Sequence, residues 1–148
     1  MFDPLTKSLQ STMSATRKAA ERMNHDYIGT EHFLFGLLDQ GPCVAIAAFD
    51  ALMVNKNAIR EEMERLVKKG KEQVSLVDIP FTPHSKKILV KACQEAVNHH
   101  HTNVDTGHLL LGMLMVEDGL AAQVLFNHRI NLKTTRTAVE SAWATKEE

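Results

Sequence analysis

The stretch Tyr27-Ile28-Gly29-Thr30-Glu31-His32-Phe33-Leu34-Phe35-Gly36-Leu37-Leu38 returns 76 positions later as Asn103-Val104-Asp105-Thr106-Gly107-His108-Leu109-Leu110-Leu111-Gly112-Met113-Leu114. The same offset, held without gaps, pairs Pro4 with Pro80, Thr6 with Thr82, Ala20 with Ala96 and His25 with His101. Further on it pairs Ala45 with Ala121, Asn55 with Asn131, Arg60 with Arg136 and Glu64 with Glu140. Apolar character follows as well, at Met13 and Leu89, Phe49 and Leu125, Val54 and Ile130. One register kept along nearly the whole unit identifies an internal duplication, which must be settled before any fold is assigned.

Each copy reads as four helices. Leu5, Leu9, Met13, Thr16, Ala20 and Met23 recur every three or four positions, the spacing of a helix buried on one face. Thr82 suits an N-cap, with Pro83 at the first helical position, where a missing N–H costs nothing. The second helix is expected to begin at Thr30 or Thr106, with the hydroxyl capping its own helix. Gly36 and Gly112 lie inside its apolar pattern. A mid-helix glycine costs about 1 kcal/mol relative to alanine, so a close helix approach is the expected reason. A third helix is expected over Val44 to Leu52 and Leu120 to His128, after the turns Gly41-Pro42 and Asp118-Gly119. The fourth follows Asn55 or Asn131 and carries Ile59, Met63, Leu66 and Val67 on its buried face.

The polar stretch around Gly70, from Lys68 to Asp78, reads as an exposed linker. The expected architecture is all-α: eight helices in two pseudo-two-fold-related four-helix repeats, packed as one domain over residues 1–148. Repeat one covers about 4–69, the linker about 70–79 and repeat two about 80–145, with Trp143 to Glu148 as a tail.

Composition bounds the function. The 148 residues suffice for a core without staples. Lys+Arg 17 against Asp+Glu 18 gives no overall electrostatic footprint for nucleic acid. Apolar runs are too short to span a bilayer, and the Met1-Phe2-Asp3-Pro4 start lacks a secretory pattern. Cys43 and Cys93, without CxxC spacing, fit packed thiols in a reducing cytoplasm.

The quoted phrase, the following Gly41-x-x-Val44-Ala45, and Pro80-Phe81-Thr82-Pro83-x-x-Lys86-Lys87-Ile88-Leu89 resemble the N-terminal Clp repeat domain of Clp/Hsp100 unfoldases, the ClpC type most of all. The likeness runs from about Leu5 to Ala142. It implies a non-catalytic, cytoplasmic module that receives adaptor proteins and protein substrates for an AAA+ Clp ring, without cofactor, nucleic acid or membrane. It also implies recognition of phosphorylated arginine. Glu31 would hold the guanidino group, and the helix starts at Thr6 and Thr82 would take the phosphate. Repeat two departs from this pattern, with Gly107 where the glutamate is expected and Asp105 where the glycine is expected.

No GxxxxGK[ST] loop occurs, so the chain is either part of a larger unfoldase or a free-standing accessory to the Clp machine. A metal-binding helical bundle is the competing class, suggested by His99, His100, His101 and His108. Adjacent helical residues diverge by about 100°, which argues against three consecutive histidines meeting one ion. His32 and His108 occupy one repeat position and are expected to serve the fold.

Overall fold

A computed structural model describes residues 4–73 and 79–147. Residues 1–3, at the start read above for a secretory pattern, residues 74–78, inside the expected linker, and Glu148 lie outside the described residues. Repeat one contributes α1 (Lys7–Arg22), α2 (Thr30–Leu38), α3 (Val44–Ala51) and α4 (Lys56–Leu66). Repeat two contributes α5 (Pro83–Asn98), α6 (Thr106–Met115), α7 (Leu120–Asn127) and α8 (Leu132–Glu147). The chain is all-α.

Side chains of the expected type start these helices. Thr6 accepts from the Leu9 amide and Thr82 from the Ser85 amide, each at 3.2 Å. Asn55 and Asn131 do the same for Ala58 and Thr134 at 3.0 and 2.9 Å. The duplication reaches into backbone conformation. Asn24 and His100, and likewise Met53 and Arg129, take left-handed φ values of 57° to 62° just after corresponding helices. That is the usual way for a helix to end.

α2 and α6 are buried almost all round, as their continuous apolar sequences require. Both glycines sit where another helix comes close. A Cβ on Gly36 would lie 2.3 Å from Thr16 Oγ1 and 2.9 Å from the Thr12 carbonyl. One on Gly112 would lie 2.7 Å from the Ile88 carbonyl.

The repeats interlock through their third helices. α3 packs on α6 and α8, while α7 packs on α2 and α4. Thr30 and Thr106 are not the N-caps expected of them but the first residues of α2 and α6, after Gly29 and Asp105. Their buried hydroxyls cap the opposite repeat instead: Thr30 accepts from the Ala121 amide of α7 and Thr106 from the Ala45 amide of α3, each at 3.1 Å. The exchange is possible because Thr30 and Thr106 face inward, toward the helix starts that cross the repeat boundary.

Three further details differ from expectation. Leu66 is half exposed rather than on the buried face of α4. Residues Trp143–Glu147 continue α8, and Trp143 is buried rather than part of a tail. The start of the linker is exposed in its side chains but anchored through its backbone. Gly70 donates to the Met23 carbonyl at 2.7 Å, and Asn24 donates to the Gly70 carbonyl at 3.1 Å.

Candidate functional site

Two short parallel bridges decide which helix starts become neighbours. The segment before α2 pairs with the segment before α5: Ile28 N–H donates to the Pro80 carbonyl at 2.8 Å, and Thr82 N–H to the Ile28 carbonyl at 3.0 Å. Symmetrically, Val104 N–H donates to the Pro4 carbonyl at 2.9 Å, and Thr6 N–H to Val104 at 3.0 Å. Glu31 in the first turn of α2 therefore adjoins the α5 start, at Thr82. Thr6 adjoins Asp105. α1 spans sixteen residues, and α2 begins beside its C-terminal end. Thr6 is thus about 24 Å, one helix length, from the Glu31 end. Thr6 and Glu31 do not share a site, and of the three expected residues only Glu31 and Thr82 come together.

Glu31 is half-buried and folds back on its own helix start. A Cβ on Gly29 would lie 2.3 Å from Glu31 Oε1 and 3.1 Å from Oε2, so the carboxylate occupies the space that glycine leaves open. The Tyr27 hydroxyl bonds to this carboxylate. Burial first, then the charges of Glu31 and Asp26, raise the Tyr27 pKa. Its ring stacks on His25, with centroids 4.9 Å apart and planes 14° from parallel.

A directional relay lies under this surface. Gly29 N–H donates to His32 Nδ1 at 2.8 Å, which puts the His32 proton on Nε2. His32 Nε2 then donates to His25 Nδ1 at 2.8 Å, and His25 Nε2 to the Lys68 carbonyl at 2.7 Å. Burial chiefly, with the neighbouring His25 and Arg22, lowers the His32 pKa to about 3. Repeat two copies the first two links, from Asp105 N–H to His108 Nδ1 at 2.8 Å and between His108 and His101 at 2.9 Å. Burial chiefly lowers His108 to about 4. His32 and His108 thus serve the fold. Among the described residues no group of three His, Cys, Asp or Glu side chains is arranged to hold an ion. Cys43 and Cys93 are both partly buried thiols.

The equivalent end of repeat two is closed. Its carboxylate comes from Asp105, at the position of Gly29, and is 4% exposed. Oδ1 accepts from the Thr6 hydroxyl at 2.8 Å and Oδ2 from the Trp143 indole N–H at 2.9 Å. Burial alone would raise the Asp105 pKa. The bonds from Trp143, Thr6 and the Thr106 amide, with the Lys146 charge, hold it below the usual range. Gly107, at the position of Glu31, has no room for a side chain: its Cβ would lie 2.7 Å from both Trp143 Cζ2 and Val139 Cγ1. Each repeat thus places one carboxylate at this helix start, from two different positions, and only that of repeat one is open to solvent.

Between α1 and α5 runs an apolar groove of about 510 Å³, lined by Leu5, Met13, Phe81, Leu89 and Val104 among others. Sequence reasoning did not find this groove, nor the roles of Tyr27 and Trp143. The swap of Gly29/Glu31 for Asp105/Gly107 was the readable signal for the last of these.

Comparison with known proteins supplies the class. The chain matches the family described as the Clp repeat (R) N-terminal domain over residues 4–89 and 80–148. It belongs to that family. It is 33% identical over 147 residues to the ClpC ATP-binding subunit of the Clp protease from Staphylococcus saprophyticus, covering 99% of this chain and 18% of that one. It is 34% identical over 139 residues to a ClpA homolog from Guillardia theta, covering 94% and 17%. The chain thus spans under a fifth of these relatives. Among solved structures, the N-terminal domain of ClpD from Arabidopsis thaliana superposes with a TM-score of 0.75 at 20% identity, covering 97% of each chain. A complex of a ClpV N-domain with a VipB peptide superposes with 0.72 at 16%, covering 93% and 88%. No single helix among the described residues is long and apolar enough to cross a membrane.

Proposed function

We propose that the chain is the non-catalytic receiving domain of a cytoplasmic Clp/Hsp100 ATP-dependent unfoldase, taking adaptors and protein substrates and reading phosphoarginine through repeat one. The observation that carries this reading is the open carboxylate of Glu31 beside the start of α5. A guanidino group offers paired N–H donors that match a carboxylate in both charge and geometry. Phosphate then falls against the α5 start, where the helix dipole favours an anion. Pro83 has no N–H and the Ser85 amide is capped by Thr82, so the His84 amide is left for that anion. The apolar groove between α1 and α5 supplies sequence-independent affinity for the exposed apolar side chains of an unfolded chain. The peptide complex of a ClpV N-domain, a chain of the same fold, supports peptide reception in general.

Arginine-phosphorylated and untreated casein, both fluorescently labelled, provide the test by anisotropy. The phosphorylated form should bind more tightly, and Glu31→Ala should remove the difference. Truncating one partner of a buried charged pair costs about 2–5 kcal/mol, more than thirtyfold in Kd. Equal affinity for both caseins, or an unchanged preference in Glu31→Ala, contradicts the reading.

A further inference from the structure

The duplication contains its own control for what each helix face needs. α1 and α5 have the same length and the same place in the fold, related by the 76-residue offset. Their exposed positions differ throughout, and five of the differences concern the stretch around Val90 and Val97. α1 carries Gln10, Ser11, Ser14, Ala15 and Glu21 where α5 carries Lys86, Lys87, Val90, Lys91 and Val97. Val90 is 56% and Val97 64% exposed. Seven residues apart, they lie on one helix face about 10 Å from each other. Since α1 does the same structural work with a serine and a glutamate there, the fold does not require these valines.

Both helices are basic, α1 through Lys7, Arg17, Lys18 and Arg22, but on α5 the cations flank an exposed valine. Lys86, Lys87 and Lys91 are exposed, and none of the ion pairs among the described residues engages them. The acid within α5, Glu95, is buried and paired with Arg136. Val90 therefore sits beside three cations that have no ion-pair partner among the described residues. On one side a cleft of about 550 Å³ separates Lys87, Val90 and Lys91 from Glu117 and Asp118 in the α6–α7 turn. Those two exposed carboxylates repel an acid on their side, so a partner's acids must run along the lysine side.

We infer that the outer face of α5 is a docking surface for an amphipathic helix of a partner protein, with apolar residues set on Val90 and Val97 and acidic residues set on Lys86, Lys87 and Lys91. An apolar stripe of this length matches anchors at i, i+3 and i+7 of an incoming helix. Complementary charge accelerates encounter and fixes orientation. The inference rests on the reading of the chain as an adaptor-receiving domain, and it assigns the adaptor a face of α5 that borders the helix start at Thr82 and, through Val90, the α1–α5 groove.

The test uses a labelled 16-residue peptide with leucines at i, i+3 and i+7 and glutamates along one flank. The comparison peptides are a scrambled peptide of the same composition and one with lysine for glutamate. Amide chemical shifts of the full chain should move along α5 with the first peptide only, and its affinity should fall as salt rises. The double variant Val90→Ser/Val97→Glu, which installs the residues that α1 carries, should weaken binding at least tenfold. So should Lys87→Glu/Lys91→Glu. Both variants should keep the wild-type thermal midpoint, and Val97→Glu alone, which lies outside the α1–α5 groove, should keep the wild-type response to phosphorylated casein. Equal binding of the scrambled peptide, shift changes away from α5, or full affinity in Val90→Ser/Val97→Glu overturns the proposal. Self-association of the chain that this variant abolishes overturns it too, by assigning the face to a second copy. A lost casein response in wild-type protein would instead fail the Glu31 reading, with the α5 result standing separately.

Discussion

Replacing Gly107 with alanine should destabilise the protein, against the usual direction of a glycine-to-alanine change in a helix. Gly107 has ordinary backbone geometry, so the effect comes from packing alone. The new Cβ would lie 2.7 Å from Trp143 Cζ2, 2.7 Å from Val139 Cγ1 and 3.0 Å from Val44 Cγ1. All three neighbours are buried, at 8%, 0% and 4% exposure, Trp143 and Val139 on α8 and Val44 on α3. None is a free side-chain end that can swing away. Displacing Trp143 also lengthens its 2.9 Å bond to Asp105, which leaves part of a buried charge unsatisfied. Overpacking of this kind costs about 1–3 kcal/mol, while alanine returns up to about 1 kcal/mol of helix propensity. The net loss is about 1–2 kcal/mol, or roughly 2–8 °C in Tm for a chain of this size. Differential scanning calorimetry reads it directly. Gly41→Ala is the control, since nothing lies within 4 Å of its Cβ, and it should stay within about 0.5 kcal/mol of wild type. A Gly107→Ala midpoint equal to or above wild type would refute the claim that repeat two is closed by packing. For the same reason Gly107→Glu should unfold the end of repeat two rather than create a second site there.

Other outcomes follow from single groups. Thr135 Oγ1 is fully buried and makes no hydrogen bond, so Thr135→Val should stabilise the chain by about 1 kcal/mol in urea titration. A loss of stability would show a partner for that hydroxyl. Because the third helices and the Thr30 and Thr106 caps are exchanged between repeats, we propose a single cooperative unit. Residues 1–76 and 77–148 made separately should show no thermal transition at the midpoint of the full chain, and two such transitions would contradict this. His32 and His108 are held neutral, with folded pKa values of about 3 and about 4 against an ordinary 6.5. The unfolded chain thus binds their protons first, and stability falls as pH drops from about 6.5 toward 4, by up to about 1.4 kcal/mol per pH unit for each. In folded protein, NMR titration should find two histidine rings with no midpoint near 6.5; midpoints for all eight in that range would contradict the relay.

The register of the duplication made the eight helices legible, because buried spacing and capping residues are local signals. Contacts across the repeat boundary were not local. Thr30 looked like a cap for its own helix because a hydroxyl at a helix start is usually one, and no sequence rule says that it points to α7. Glu31 was legible as a candidate through its place in the motif. Its neighbour was not: two bridges set Thr82 beside it and move Thr6 to the far end of α1. Trp143 read as part of a tail because the offset places it opposite Val67, at the end of the shorter α4. In fact α8 runs on to Glu147 and carries the indole onto Asp105. The exchange of Gly29 and Glu31 for Asp105 and Gly107 was visible, but its meaning needed the positions of Tyr27 and Trp143.

Titration calorimetry of the chain with free phosphoarginine tests the central claim, one open carboxylate in repeat one and one sealed in repeat two, most directly. The account predicts a stoichiometry near one and loss of detectable heat in Glu31→Ala, with its thermal midpoint unchanged. A stoichiometry of two, or wild-type affinity in Glu31→Ala, would contradict it and leave Glu31 as a charge that merely complements the start of α2.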